Sequence, residues 1–237
     1  MENFKLTIIL AAMLSLPACV CAQTLVRSVN GKVVDEWQMT NGLTVIKENG
    51  KYGFADKTGR TVIAPVYDKV GPKFLDGKIP VVKNGKAGLI DETGKVIIPF
   101  EYDDIGNKKT FDGLFLIRKG GKWGFADGTG RIVIAPQYDK YGRDFSNGLM
   151  MVMKNGKCGF IDRNGRVVIA LQYDNSSLFH EGLAAVKKNG KCGFIDPTGK
   201  IVIPLIYDNV HNFNGGKARV QSGSESYYID KKGNRLP

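Results

Sequence analysis

Residues 189–208 read NGKCGFIDPTGKIVIPLIYD, and near-copies of this stretch begin at Asn49, Asn84, Gly120 and Asn155. The Lys after the first Gly recurs at Lys51, Lys86, Lys122, Lys157 and Lys191, in steps of 35, 36, 35 and 34 residues. An Asp closes the following segment at Asp56, Asp91, Asp127, Asp162 and Asp196, and once more at Asp230. A fixed period of this length belongs to solenoids, propellers and tandem arrays, in which a small unit buries its apolar face only against its neighbours.

Each unit reads as strands and tight turns. Asn-Gly between apolar runs, or Gly120-Gly121 in the third unit, marks a two-residue hairpin, because a type I′ turn needs positive φ at both central positions. The Asp-x-x-Gly of Asp196–Gly199 and its sister copies fits a type I turn held by the Asp side chain. A β-branched third strand, 200–204, ends at a Pro, which cannot donate to a ladder. The predicted unit is a three-stranded antiparallel meander, followed by Tyr-Asp and a loop that returns through Phe to the next Gly. The expected fold is therefore all-β, a tandem array of such meanders. An open twisted stack is preferred, because propeller blades usually have four strands and each unit offers three. A closed six-unit ring is the alternative.

The ends of the chain frame the array. Lys5, the apolar run from Leu6 to Leu16 and the small residues before Ala22-Gln23 read as a secretory signal cleaved between those two residues. Leu16-Pro17-Ala18-Cys19 offers a competing lipoprotein reading, with the chain anchored through Cys19. The organisation expected is a signal over 1–22, a cap and partial repeat over 23–47, β repeats over 48–216, and a partial repeat over 217–237. Residues 30–35 match a third strand, and Trp37 reads as a plug over the first open face.

The formal charge is +11, and the signal carries one acid and one base, so export would not change it. A basic exported protein meets anionic envelope material, either glycan or lipid headgroup. No nucleic-acid motif is present, so no nucleic-acid partner is expected, nor is a transmembrane segment in the mature chain. Lys at strand edges also serves simply to discourage edge pairing.

The motif Gly121-Lys122-Trp123-Gly124-Phe125-Ala126-Asp127, and its companions with a Val-Ile-x-Pro-x-Tyr-Asp tail, resemble the WG (KWG) repeat family. The likeness spans about Gly42 to Asn234, although only the third unit carries the literal Lys-Trp-Gly, and unit four has Leu171 where a Pro is expected. The resemblance implies a bacterial, often exported β repeat protein with no general activity and no catalytic residues to carry over.

Candidate chemistry is sparse. The Tyr-Asp pairs Tyr67-Asp68, Tyr102-Asp103, Tyr138-Asp139, Tyr173-Asp174 and Tyr207-Asp208 suggest two roles. One is a binding ladder, with rings stacking on sugar faces and carboxylates accepting hydroxyls. The other is scaffold, each Tyr covering the stack and each Asp holding a loop. Phe74, Phe111, Phe145, Phe179 and Phe213 read as packing between units. The residue between Lys and Gly is Tyr52, Ala87, Trp123, Cys158 or Cys192; a slot that tolerates such different volumes reads as packing, with the neighbouring Gly admitting a close ring or backbone. Cys158 and Cys192 share that slot in adjacent units, which makes a disulfide between them one possibility and two buried thiols the other. With two His, no Cys-x-x-Cys and carboxylates at turn positions, no catalytic, metal or cofactor site is expected. The function expected is a non-catalytic protein-interaction module at the cell envelope. Polysaccharide binding through the Tyr-Asp ladder is the alternative.

Overall fold

A computed structural model describes residues 26–29 and 32–35 as backbone strands and residues 42–106 and 113–237 in full. The signal segment with Cys19, Ala22 and Gln23, the Trp37 plug and Phe111 lie outside the described residues. No helix occurs among the described residues, and every strand pairing is antiparallel. The chain divides into two compact units, residues 1–109 with 128–130 and residues 110–127 with 131–237.

In the first unit, β1 (Val26–Val29), β2 (Lys32–Asp35), β3 (Thr44–Glu48), β4 (Lys51–Ala55) and β5 (Thr61–Tyr67) form one sheet in that order. A second sheet runs β6 (Lys69–Val70), β7 (Lys78–Lys83), β8 (Lys86–Asp91) and β9 (Val96–Tyr102), followed by β10 (Asp104–Ile105). The second unit contains the meander β11 (Leu114–Lys119), β12 (Lys122–Asp127) and β13 (Ile132–Tyr138). Next come two four-stranded sheets. The first is β14 (Lys140–Tyr141), β15 (Met150–Lys154), β16 (Lys157–Ile161) and β17 (Val167–Tyr173). The second is β18 (Asn175–His180), β19 (Leu183–Lys188), β20 (Lys191–Ile195) and β21 (Ile201–Tyr207). Strands β22 (Asn209–Val210), β23 (Lys217–Ser222) and β24 (Glu225–Asp230) close the array.

The predicted meander is present in each repeat, and both turns form for the expected reasons. Asn49, Asn84, Asn155 and Asn189 take φ of 50–53° and the Gly after each takes 75–80°, the double positive φ of a type I′ hairpin. In the second turn Asp196 Oδ1 accepts the backbone N–H groups of Thr198 (2.9 Å) and Lys200 (3.1 Å) and the Thr198 hydroxyl (2.6 Å).

Three expectations need correction. First, the chain after Tyr-Asp is a short strand rather than a plain loop: Lys69 and Val70 pair with Val82 and Val81, which supplies a fourth strand and removes the strand-count objection to a propeller blade. The return then closes through a further tight turn, with Asp76 and Gly77 at φ of 48° and 72° between the bridged Leu75 and Lys78. Second, the third strand does not end at Pro. Phe194 pairs with Ile203 and Cys192 with Tyr207, so four residue steps of β21 oppose two of β20, and Pro204 sits in a bulge where its missing N–H costs nothing. Third, residues 32–35 are not a lone third strand. Val33 and Val34 pair with Lys47 and Ile46, the register of the short return strand in later sheets.

The bulge explains the repeated Gly. A Cβ on Gly124 would lie 2.4 Å from Ile134 O and 2.6 Å from Pro136 N, and one on Gly159 would lie 2.4 Å from Ile169 O. The arched backbone of the third strand occupies the place of a side chain.

Within each unit the core lies between consecutive sheets. Phe54, Ile63 and Tyr67 of the first sheet pack with Ile79, Val81 and Ile90 of the second. In the second unit Phe160, Ile169 and Tyr173 pack with Ala184, Val186 and Ile195, and Phe194, Ile203 and Tyr207 with Ala218, Val220 and Ile229. In these pairs one face of a sheet meets the opposite face of the next, as the two-residue strand period requires. Phe74, Phe179 and Phe213 are buried and pack on Phe54, Phe160 and Phe194 at 5.4, 4.9 and 4.8 Å between centroids.

Candidate functional site

The Tyr-Asp pairs split between two environments. Tyr67, Tyr102, Tyr138, Tyr173 and Tyr207 are only 3–5% exposed. They end the third strands, where the strand period turns each ring into the inter-sheet core, and burial raises each hydroxyl's pKa. Their faces are therefore packing surfaces and do not line an exposed ladder.

The Asp that follows each Tyr points the other way, as alternation demands. Asp174 bonds the Lys157 ammonium of its own repeat through Oδ1, and its Oδ2 accepts the backbone N–H of Asn189 in the next hairpin at 2.8 Å. Asp139 does the same with Lys122 and Asn155, Asp208 with Lys191 and Gly223, and Asp68 with Lys51 and Gly85. Asp103 takes Lys86 at 2.9 Å. The Lys hydrogen bond, then the turn amide, holds the carboxyls of Asp68, Asp139, Asp174 and Asp208 below the usual carboxylate range. These carboxylates clamp one repeat to the next. That arrangement agrees with the scaffold reading of the sequence.

Cys158 and Cys192 are free, buried thiols. The suggested bridge is not made, because each sulfur turns to its own sheet: Cys158 Sγ donates to Tyr173 O at 3.4 Å and Cys192 Sγ to Asp208 O at 3.6 Å. Burial pushes the Cys158 thiol up to about 11 and raises Cys192 too.

A surface feature not identified in the sequence lies on the third strands. β9, β17 and β21 are the last strands of their sheets. Val96, Ile132, Val167 and Ile201, at the same register position, are 40–51% exposed. Each follows a cation, Lys95, Arg131, Arg166 or Lys200, and Arg131 already pairs with Asp127 at 2.9 Å. The sequence signal was present, a basic then β-branched pair just after the Asp-x-x-Gly turn of the five full repeats. Without the sheet order it is indistinguishable from a buried strand start.

Comparison with known proteins bears on the repeat itself. The sequence matches the description "WG containing repeat" over residues 52–86, 88–123, 123–158, 159–192 and 193–224. The chain belongs to this WG repeat family. The matches over 52–86, 123–158 and 159–192 each begin within the second strand of one sheet and end within the second strand of the next, and the match over 193–224 ends one residue before β24. Among curated proteins none matches the sequence. Solved structures similar to this WG repeat chain include Kluyveromyces lactis Hsv2p, at 11% identity and TM-score 0.36, over 81% of this chain and 72% of that one. Citrobacter koseri AztD is similar at 12% identity and TM-score 0.36, over 83% and 68%. PorZ of Porphyromonas gingivalis is similar at 11% identity and TM-score 0.33, over 82% and 31%. At these scores the likeness says nothing about a ligand.

Proposed function

We propose that this WG repeat protein is an exported, non-catalytic interaction module of the cell envelope that binds a protein partner along its outer edge strands. The observation that carries this reading is the repeated pairing of a cation with an exposed β-branched residue at the start of successive edge strands, Arg166-Val167 and Lys200-Ile201 foremost. An unpaired strand edge offers backbone hydrogen bonds, and exposed apolar residues beside cations add contacts for an extended, acidic partner. The recurrent carboxylates are engaged in clamping turns, which suits a rigid display surface better than acid–base chemistry. Export follows from the signal reading of residues 1–22.

The test is proximity crosslinking in the native host, comparing wild type with Val167→Lys combined with Ile201→Lys. Both positions are exposed, so the fold should persist by circular dichroism. Loss of a saturable crosslinked partner supports the reading. An unchanged crosslinking pattern, or none in the wild type, would remove it.

A further inference from the structure

We propose that the groove between β20 and β22 receives the aromatic side chain of a tryptophan or tyrosine presented by a protein partner. This rests on the interaction-module reading and names a second, separate contact. The groove has a volume of about 250 Å³ and is lined by Cys192, Val186, Val210, Lys187, Asn175 and Asn209 among others.

The other repeats show what this space is shaped to hold. Cys192 pairs in register with Lys187, as Tyr52 pairs with Lys47 and Trp123 with Arg118. In those two repeats the slot holds a ring with the cation over its face, Lys47 at 4.8 Å from the Tyr52 centroid and Arg118 at 5.2 Å from that of Trp123. Trp123 also meets Tyr141, from the return strand of the next sheet, edge-to-face at 5.2 Å. In the last repeat junction both rings are trimmed at once: Cys192 stands at the Trp123 position and Val210 at the Tyr141 position. The cation Lys187 is retained.

The result is a groove lined by Cys192, Val210 and the cation Lys187, rimmed by Ser and Asn side chains, with the ring missing. A closed cavity of ~150 Å³ accommodates benzene, so this groove has room for an indole, and Lys187 would supply the cation–π contact that Lys47 and Arg118 make in the same slot. The rim suits a peptide. Asn175 and Asn209 use their side-chain oxygens to accept the N–H groups of Ser176 and Val210, and an Asn side chain keeps its NH₂ donors for a second partner such as a peptide carbonyl. The groove is open on one side, so a ring can enter while its backbone stays outside.

The experiment titrates the whole chain with acetyl-Gly-Trp-Gly-amide, acetyl-Gly-Ala-Gly-amide and free indole, followed by NMR shifts of the Asn175, Lys187 and Val210 amides. Expected is saturable binding of the Trp peptide, none of the Ala peptide, and at least a tenfold loss of Trp-peptide affinity in Cys192→Trp, whose own ring fills the slot. Val210→Tyr, which fills it from the opposite wall, should give the same loss and stands in if Cys192→Trp does not fold. Binding of indole without the Trp peptide overturns the partner side chain as the source. Binding of neither, or binding indifferent to both fillers, overturns the groove as a ring site. Neither filler touches Val167 or Ile201, so failure here and failure of the edge-strand reading are scored separately.

Discussion

The Asp174 carboxylate accepts the backbone N–H of Asn189 at 2.8 Å, joining the end of one repeat to the hairpin tip of the next. The bond works because the bulge ahead of Tyr173 realigns the strand. Tyr173 turns inward to the core, and Asp174, one residue on, turns outward to the neighbouring turn. The same division recurs at Tyr67-Asp68, Tyr138-Asp139 and Tyr207-Asp208. One dipeptide thus provides both core filling and repeat-to-repeat registration.

Acid should loosen these clamps in a defined window. The carboxyls of Asp68, Asp139, Asp174 and Asp208 are held below their ordinary value by Lys and then turn-amide hydrogen bonds. Each folded value lies below the unfolded value of ~3.9, so the linked stability is complete above that value and is lost as pH falls through the folded one. The urea midpoint should be level from pH 7 to 5 and decline below about pH 4. Asp174→Asn should lower the plateau and shallow the decline. A midpoint indifferent to pH between 5 and 3 would contradict the clamp.

The repeated Gly of the second strand should resist even a methyl group. In Gly159→Ala the new Cβ faces Ile169 O at 2.4 Å and Ala170 O at 2.7 Å, backbone atoms fixed by the bulge. Overpacking of this kind costs about 1–3 kcal/mol, and backbone obstruction places it at the upper end. The thermal midpoint should fall by roughly 5 °C or more for a chain of this size. A shift within error would mean that the bulge yields.

How far the fold was readable follows from such local chemistry. Asn189-Gly190 and Asp196–Gly199 signal their turns because positive φ and Asx bonding leave marks in residue identity. The return strand Lys69–Val70 spans two residues, too few to show a strand period. Its tight turn was legible in Asp76-Gly77, Asn147-Gly148 and Gly215-Gly216, which sit just after the return-loop Phe. The bulge was hidden because its Pro occupies either of two adjacent positions, Pro65 and Pro136 or Pro99 and Pro204. Side-chain direction at the Tyr-Asp pairs depends on that bulge, so the sequence marked the pairs as a repeated feature and left their exposure open. The open Cys192 slot depends also on Val210 in the next repeat, a neighbour that only the packing of successive sheets brings beside it.

The third hairpin offers a stabilising change. Gly120 takes φ of 58° and a Cβ added to it would meet nothing within 4 Å, whereas its sister positions carry Asn at 50–53°. Gly120→Asn keeps the native φ and restricts the unfolded chain, which is worth about 0.4–1 kcal/mol where the conformation suits the new residue. The thermal midpoint should rise by about 1–4 °C. A fall would show that this Gly-Gly turn differs from its sisters.

Tyr173 separates core from surface roles. At 3% exposure within the cluster around Phe160 and Ile169, its truncation in Tyr173→Ala should cost about 3–5 kcal/mol, as for other large aromatic-to-Ala changes in cores. Tyr173→Phe retains the ring and should lose far less. Denaturant titration of both decides the matter, and near-equal stability of Tyr173→Ala and wild type would return the ring to the surface.

The two thiols occupy the same slot and should differ in reactivity. Cys158 is fully buried and its pKa is pushed up to about 11, so at pH 8 it is both inaccessible and un-ionised, and the thiolate is the nucleophile. Cys192 is also raised by burial, but it is 6% exposed and lines the groove. Iodoacetamide labelling at pH 8, read by peptide mass mapping, should modify Cys192 first and Cys158 only on unfolding. Because the folded value of Cys158 lies above its unfolded value, its contribution to stability is complete below about pH 9 and is lost as pH rises through 11. Cys158→Ala should therefore weaken the alkaline decline in the denaturation midpoint. Equal labelling rates, or a Cys158–Cys192 disulfide in non-reducing maps, would overturn the free-thiol geometry and with it the open floor of the groove.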